Sequence, residues 1–209
     1  IHCAKRTGHG IQTIREGLGN SCNPVFMTIG ARIGQEKFYN YITAFGLREK
    51  TGVGVTGEQT GYHYSLSSFS DLDLATSSFG QGFKITPLQL ICAVCSIANG
   101  GDYMQPYIIS QITDSDGNVV LSNSPKVVRK TVSEENAKLI CSYLEDAVTE
   151  HITRAYIEGY HVAGKTGTSQ KLDSKNEDGE IDKQIASFIG FAPADDPQIC
   201  VLVVVDEPN

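Results

Sequence analysis

Three strand-like runs follow one another in the C-terminal third of this 209-residue chain. They cover residues 162–169, 186–191 and 199–206, and a turn that contains two prolines separates the last two runs. Successive strands joined by short loops favour antiparallel pairing. The run from Ile199 to Val205 is apolar throughout, so we expect this strand to lie centrally, with both of its faces covered.

The first two thirds of the chain carry the 3.6-residue periodicity of helices. We expect helices at about 11–18, 25–33, 36–45, 86–99 and 133–149. A β-hairpin is indicated over 107–121, whereas residues 47–85 are rich in Gly, Ser and Thr and are expected to form a surface excursion. The fold class is therefore α/β of the α+β kind, a helical layer (about 1–158) packed on an antiparallel sheet (about 159–209). The polar loop at 170–184 is expected to be mobile.

Composition narrows the possible partners. The formal net charge of −7 argues against a nucleic-acid partner. No apolar stretch approaches the roughly 20 residues that a membrane-spanning helix needs.

The chain lacks an initiator Met and leads straight into a turn, so we interpret it as a piece of a longer protein. Cys92-x-x-Cys95 lies in an apolar helical segment, so we predict buried thiols rather than a zinc or redox pair.

The first of the three strand-like runs ends in an unusual series, Gly164-Lys165-Thr166-Gly167-Thr168. Glycine lets a backbone lie close to a ligand, because no side chain blocks the approach. Lysine supplies a positive charge, and hydroxyls at alternate positions lie on the same side of a strand. The series therefore predicts an edge that can hold an anionic peptide end.

A second polar series lies far upstream, where Ser21-Cys22-Asn23 joins two expected helices. Ser-x-Asn followed by Lys-Thr-Gly makes up two of the three motifs of penicillin-binding proteins and serine β-lactamases, the third being Ser-x-x-Lys. Other segments follow in the matching order: Gly8-His9-Gly10, Phe79-Gly80-Gln81-Gly82, Thr86-Pro87-Leu88-Gln89-Leu90, Ile97-Ala98-Asn99-Gly100-Gly101, Phe191-Ala192-Pro193 and Val204-Val205-Asp206-Glu207-Pro208. Over nearly its whole length the chain resembles the transpeptidase domain of class B penicillin-binding proteins.

The resemblance implies a D,D-transpeptidase that cross-links peptidoglycan stem peptides by serine acyl transfer. In such a site Ser21 relays a proton towards the leaving group, Asn23 holds a substrate amide, and Lys165 adds positive potential. Thr166, Gly167 and Thr168 form the substrate-binding strand: the two hydroxyls hold the substrate carboxylate. The N–H of Thr168 forms half of the oxyanion hole, a kind of donor typically worth about 3 kcal/mol in the transition state.

The same resemblance implies the partners of the site. They are the D-Ala-D-Ala end of a stem peptide and β-lactams, which mimic it, and neither a metal nor an organic cofactor is needed. The parent protein is expected to be membrane-anchored at the outer face of the bacterial cytoplasmic membrane, within a cell-wall synthesis complex. The 209 residues themselves are expected to be soluble.

One departure from the motif set concerns activity. No Ser-x-x-Lys occurs in the 209 residues, and the nearest series, Thr168-Ser169-Gln170-Lys171, overlaps the strand motif. In the family the nucleophilic serine precedes the Ser-x-Asn segment. We therefore interpret residues 1–209 as a partial transpeptidase domain, incomplete at its N-terminus and inactive alone.

Alternatives remain open at this point. The parent could be a serine β-lactamase or D,D-carboxypeptidase of the same superfamily, or a non-catalytic penicillin-sensing or scaffold domain. Among single residues, His9 is expected to form a structural turn and Gln81 to shape a loop near the cleft. A second Lys-Thr-Gly, at 50–52, is expected to be a turn, and Asp206-Glu207 to be solvated carboxylates.

Overall fold

The computed structural model describes residues 2–3, 5–171 and 183–208, and the statements on structure refer to these. The helices are α1 Ile14–Gly19, α2 Asn23–Ile33, α3 Gln35–Ala44, α4 Asp71–Ser77, α5 Pro87–Ala98 and α6 Glu134–Glu150. The strands are β1 Asp102–Met104, β2 Gln111–Thr113, β3 Val119–Ser122, β4 Val127–Lys130, β5 Ala163–Gln170, β6 Gln184–Ala192 and β7 Ile199–Asp206. Short 3₁₀ turns lie at Leu66–Ser68 and Thr153–Ala155.

The strands form three antiparallel sheets. The largest has the order β5-β6-β7, and two-stranded sheets pair β1 with β4 and β2 with β3. The expected α+β fold and the hairpin are therefore confirmed, although four of the strands lie within the part expected to be helical. The loop expected at 170–184 lies mostly outside the described residues.

The expectation that the apolar run at 199–205 lies centrally is wrong. The central strand is β6, and β7 pairs with β6 and with no other strand among the described residues. Alternate β7 residues such as Val201 and Val203 remain 48% and 52% exposed, whereas Cys200 packs against the core cluster. An apolar run predicts a strand that can be covered on both faces, but it does not supply the covering layer.

Side-chain caps explain where most helices begin. The hydroxyls of Thr13, Ser70, Thr86 and Ser133 each accept a hydrogen bond from the N–H three residues on, at the starts of α1, α4, α5 and α6. Pro24 and Pro87 lie in the first turns of α2 and α5, where a missing N–H costs nothing. The sequence signals for these starts are local, and so the helix pattern was largely predictable.

The core forms where α6 packs on β5 and its neighbours. Its buried members are Cys141 and Leu144 of α6, Ala163 of β5, Phe191 of β6 and Ala194. Two polar contacts hold the surrounding elements on α6. Arg15 of α1 pairs with Asp146 at 2.7 Å, and His161, just before β5, pairs with Glu145 at 2.7 Å. Helix α6 is thus the common support of α1 and of β5.

Three further expectations need correction. Residues 47–85 contain α4 and bury Val53, Phe69 and Leu74, so they form part of the packed structure and not a surface excursion. Helix α1 starts at Ile14 because Thr13 caps it, which leaves Ile11 outside the helix. The thiols of Cys92 and Cys95 are half-buried rather than buried, and burial raises the pKa of Cys92 to about 11.

Candidate active site

Ser21 lies at a tight corner between α1 and α2. Its backbone N–H bonds to Leu18 O at 3.1 Å, and the next N–H, of Cys22, bonds to Gly17 O at 2.9 Å. The corner places Ser21 at φ +49°, a left-handed conformation that is uncommon for a residue with a Cβ. The exposed side chain of Ser21 reaches from this corner to β5.

Lys165 of β5 meets this serine. Its ammonium Nζ donates a hydrogen bond to Ser21 Oγ, across 144 positions of sequence. The same Nζ lies 3.2 Å from Thr166 O and 3.4 Å from Thr166 Oγ1. Burial lowers the pKa of Lys165, because desolvation disfavours the charged ammonium. The contact therefore joins a hydroxyl to a lysine that gives up its proton more readily than an exposed one.

The free edge of β5 faces the same space. Gln81 Nε2 donates to Thr168 O at 3.4 Å from outside the sheet, whereas Gly167 O lies 3.5 Å from Ser187 Oγ on β6. In an antiparallel strand the N–H and C=O of one residue point to the same side, and successive residues alternate. The N–H of Thr168 therefore points away from β6, along the edge that Gln81 borders. The expectation that Gln81 shapes the loop beside the cleft agrees with this contact.

The glycines of β5 have a packing role. A Cβ at Gly164 would lie 2.6 Å from Phe188 Cζ and 2.8 Å from Ile189 O, both on β6, and one at Gly167 would lie 2.8 Å from Ser187 Oγ. The sequence pattern suggested that glycine clears the way for a ligand. In the structure Gly164 makes room for the backbone and the Phe188 ring of the neighbouring strand, whereas Gly167 meets only the Ser187 hydroxyl.

Asn23 is the first residue of α2, two positions after Ser21. Its Nδ2 donates to the backbone O of His2 at 3.3 Å. In the described part of the chain, Asn23 makes no hydrogen bond to β5. The structure thus brings Ser21 and Lys165 together and leaves Asn23 beside them, with its amide on the N-terminal segment.

The remaining candidates take ordinary structural positions. Thr51 is buried and its N–H and hydroxyl both donate to Glu58 Oε1, so the second Lys-Thr-Gly forms a loop, as expected. Glu207 pairs with both Lys171 and Lys183, at 2.8 and 2.9 Å, and Asp206 pairs with Lys171 at 2.8 Å. The carboxylates at the end of β7 are therefore ion-paired and not simply solvated.

The sequence reasoning missed one cluster beside the site. Cys3, His9 and Cys22 bring their ligand atoms within 4.8 Å of one another. The available signal was the cysteine at the middle position of Ser21-Cys22-Asn23, together with His9 between two glycines. Neither signal predicts that Cys3 lies beside His9 and Cys22, because the approach of Cys3 depends on the folded turn.

Comparison with known families fits this geometry. The family model described as the penicillin binding protein transpeptidase domain matches residues 2–209. The chain belongs to this family. Stage V sporulation protein D of Bacillus subtilis is 44% identical over 213 residues, and the chain covers 32% of its length. Penicillin-binding protein PbpB of Mycolicibacterium smegmatis is 31% identical, with 96% of the chain and 32% of PbpB covered.

Solved structures of this family share the fold. Penicillin-binding protein 3 of Mycobacterium tuberculosis, solved in complex with aztreonam, superposes with a TM-score of 0.89 at 30% identity. The match covers 100% of this chain and 48% of that protein. A D,D-transpeptidase domain from Eggerthella lenta matches with a TM-score of 0.86 at 26% identity, over 98% of this chain and 51% of that one. The chain thus spans about a third of the curated relatives and about half of the solved chains.

The described helices are all too short or too polar to cross a membrane.

Proposed function

We propose that this chain forms part of a D,D-transpeptidase that cross-links peptidoglycan stem peptides through a serine acyl-enzyme. The hydrogen bond from Lys165 Nζ to Ser21 Oγ carries the proposal. It joins the two motifs of the family that this sequence contains, at the free edge of β5. The nucleophilic serine of Ser-x-x-Lys comes from sequence outside these 209 residues.

Each side chain then has a defined task. Ser21 passes a proton between the leaving group and Lys165, whose pKa is lowered by burial. Asn23 turns its amide to the substrate when the stem peptide enters. Thr166 and Thr168 offer exposed hydroxyls to the substrate carboxylate, and the N–H of Thr168 points along the edge where an acyl oxygen would lie.

The substrate class follows from this edge. A strand with hydroxyls, an adjacent cation and a free N–H suits a peptide that ends in a carboxylate, such as D-Ala-D-Ala. β-Lactams have the same groups, and penicillin-binding protein 3 of M. tuberculosis, a structural relative, has been solved with ampicillin and with aztreonam. The relatives named peptidoglycan D,D-transpeptidase FtsI support cross-linking over β-lactam hydrolysis. A membrane-anchored parent at the outer face of the bacterial cytoplasmic membrane, in a cell-wall synthesis complex, completes the proposal.

Fluorescent-penicillin labelling of the complete protein tests it. Lys165→Ala and Ser21→Ala should each slow acylation by about 10²–10⁴-fold, the usual contribution of a positioned acid or base. Lys50→Ala is the matched control, because Lys50 belongs to the second Lys-Thr-Gly and should leave the rate unchanged. The 209-residue chain alone should stay unlabelled. A labelled band at its mass, stable to denaturation, or equal rates for the Lys165 and Lys50 variants, would contradict the proposal.

A further inference from the structure

The N-terminal segment folds back onto the start of α2. The N–H of Gly8 closes a turn onto Lys5 O at 2.9 Å, and Gly8 and Gly10, at φ +73° and +71°, flank His9. A Cβ at either glycine would meet nothing within 4 Å, so it is backbone conformation and not space that requires glycine there. The turn brings His9 Nδ1 to 3.5 Å from Cys3 Sγ.

The third member of this cluster is Cys22, the residue that precedes α2. Its side chain is 4% exposed and makes no capping hydrogen bond, unlike the Thr and Ser residues that cap α1, α4, α5 and α6. Its sulfur instead lies with Cys3 Sγ and a ring nitrogen of His9, all within 4.8 Å of one another. Two thiols and an imidazole from three separate places in the sequence therefore converge on one point.

We propose that Cys3, His9 and Cys22 bind a Zn²⁺ ion. Zinc bonds of about 2.3 Å to sulfur and 2.0–2.1 Å to nitrogen, at tetrahedral angles, place two ligand atoms about 3.5–3.8 Å apart. The 3.5 Å between Cys3 Sγ and His9 Nδ1 agrees with this spacing, and small side-chain rotations bring Cys22 Sγ to it. Water or a further side chain takes the fourth position.

Charge balance favours this ion. Two thiolates neutralise the two charges of Zn²⁺, so the bound site is neutral, as suits a partly buried position. Binding releases the two thiol protons and involves no oxidation or reduction. Soft sulfur ligands with one imidazole select zinc over magnesium or calcium, which prefer oxygen.

The bound ion would fix the corner that presents Ser21. Cys22 stands between Ser21 and Asn23, and a Zn–S bond anchors its sulfur to the turn that holds His9. The left-handed backbone at Ser21 is then held in two ways, by its own hydrogen bonds and by the anchored sulfur of the next residue, Cys22. The metal site itself does not depend on the transpeptidase proposal, because it can be assayed without any substrate.

Metal titration of the complete protein under reducing conditions tests the proposal. Zn²⁺ added to the metal-free chain should bind one ion per chain and release two protons. Co²⁺ should give thiolate-to-cobalt charge-transfer absorption and the visible bands of a tetrahedral site, a measurement that needs no variant. Absence of the thiolate band, or release of no protons, would overturn the proposal.

Variants identify the ligands. Cys3→Ser, His9→Gln and Cys22→Ser should each weaken Zn²⁺ binding by more than the roughly 10–100-fold typical of a lost outer-shell partner. Cys92→Ser and His151→Gln are the controls, with the same residue types outside the cluster, and should bind as the unchanged chain does. Cys3 lies outside every helix and strand, so its variant should keep the fold. Unchanged affinity in the Cys3→Ser variant would refute the site.

Discussion

Replacing Gly164 by alanine probes how closely β5 and β6 pack beside Lys165. Gly164 pairs with Gly190 across the two strands, and the Phe188 ring lies against both glycines. An added Cβ would lie 2.6 Å from Phe188 Cζ and 2.8 Å from Ile189 O. The ring can turn aside, but the carbonyl belongs to the backbone of the central strand, so the strand itself has to move.

The expected magnitude follows from two opposing terms. Overpacking of this kind typically costs about 1–3 kcal/mol. Alanine recovers about 0.5–1 kcal/mol relative to glycine within a strand, because glycine loses more backbone freedom on folding. We therefore expect Gly164→Ala to lower the free energy of unfolding by about 0–2.5 kcal/mol, with a central value near 1 kcal/mol.

Gly167→Ala is the matched control on the same strand. Its Cβ would meet only Ser187 Oγ, at 2.8 Å, and a hydroxyl can rotate to another rotamer. Because alanine recovers the same backbone term here, its free energy of unfolding should stay the same or rise by up to about 1 kcal/mol. Urea unfolding followed by far-UV circular dichroism measures both variants, and equal m values make the midpoints comparable. If Gly164→Ala proves as stable as Gly167→Ala, the close packing against β6 is not what requires glycine at 164.

Two further predictions concern the sheet edge and pH. The outer edge of β7, which pairs with no strand among the described residues, should make the chain self-associate as its concentration rises. Val203→Lys on the exposed face of β7 should reduce this association, whereas Val120→Lys on the β2–β3 hairpin should not. Light scattering after size exclusion checks this, and a monomer at all concentrations would count against it. The Glu145 carboxylate raises the pKa of His161, so its stabilising effect is complete below the unfolded value of about 6.5 and is lost as pH rises through the folded value. The melting temperature of the unchanged chain should exceed that of His161→Gln most at about pH 6 and least at about pH 8, and a gap that widens with pH would contradict this.

The motif order and the local helix signals could be predicted from sequence. Thr86 with Pro87 marks the start of α5, and Ser133 marks that of α6, because capping depends on residues three positions apart. The Lys-Thr-Gly strand was also predictable, since strand 163–170 combines apolar, glycine and hydroxyl residues in one extended run. Local chemistry determines these features, so a single sequence contains them.

The features that could not be predicted depend on distant parts of the chain. The uniformly apolar sequence of β7 does not say which strands pair with it, and so its edge position was missed. Glycine is needed at position 164 because Phe188 packs there, and nothing in the sequence connects these two positions. Likewise, the approach of Cys3 to Cys22 requires both the turn around His9 and the corner at Ser21.

The separation of 144 positions between Ser21 and Lys165 has a consequence for synthesis of the protein. A ribosome that adds about 5–20 residues per second needs roughly 7–29 s to pass from one residue to the other. During that interval the α1–α2 corner emerges without the strand that its serine contacts. A nascent chain that stops before Lys165 contains α1 and α2, yet it lacks the lysine and most of the strand that Ser21 meets in the folded protein.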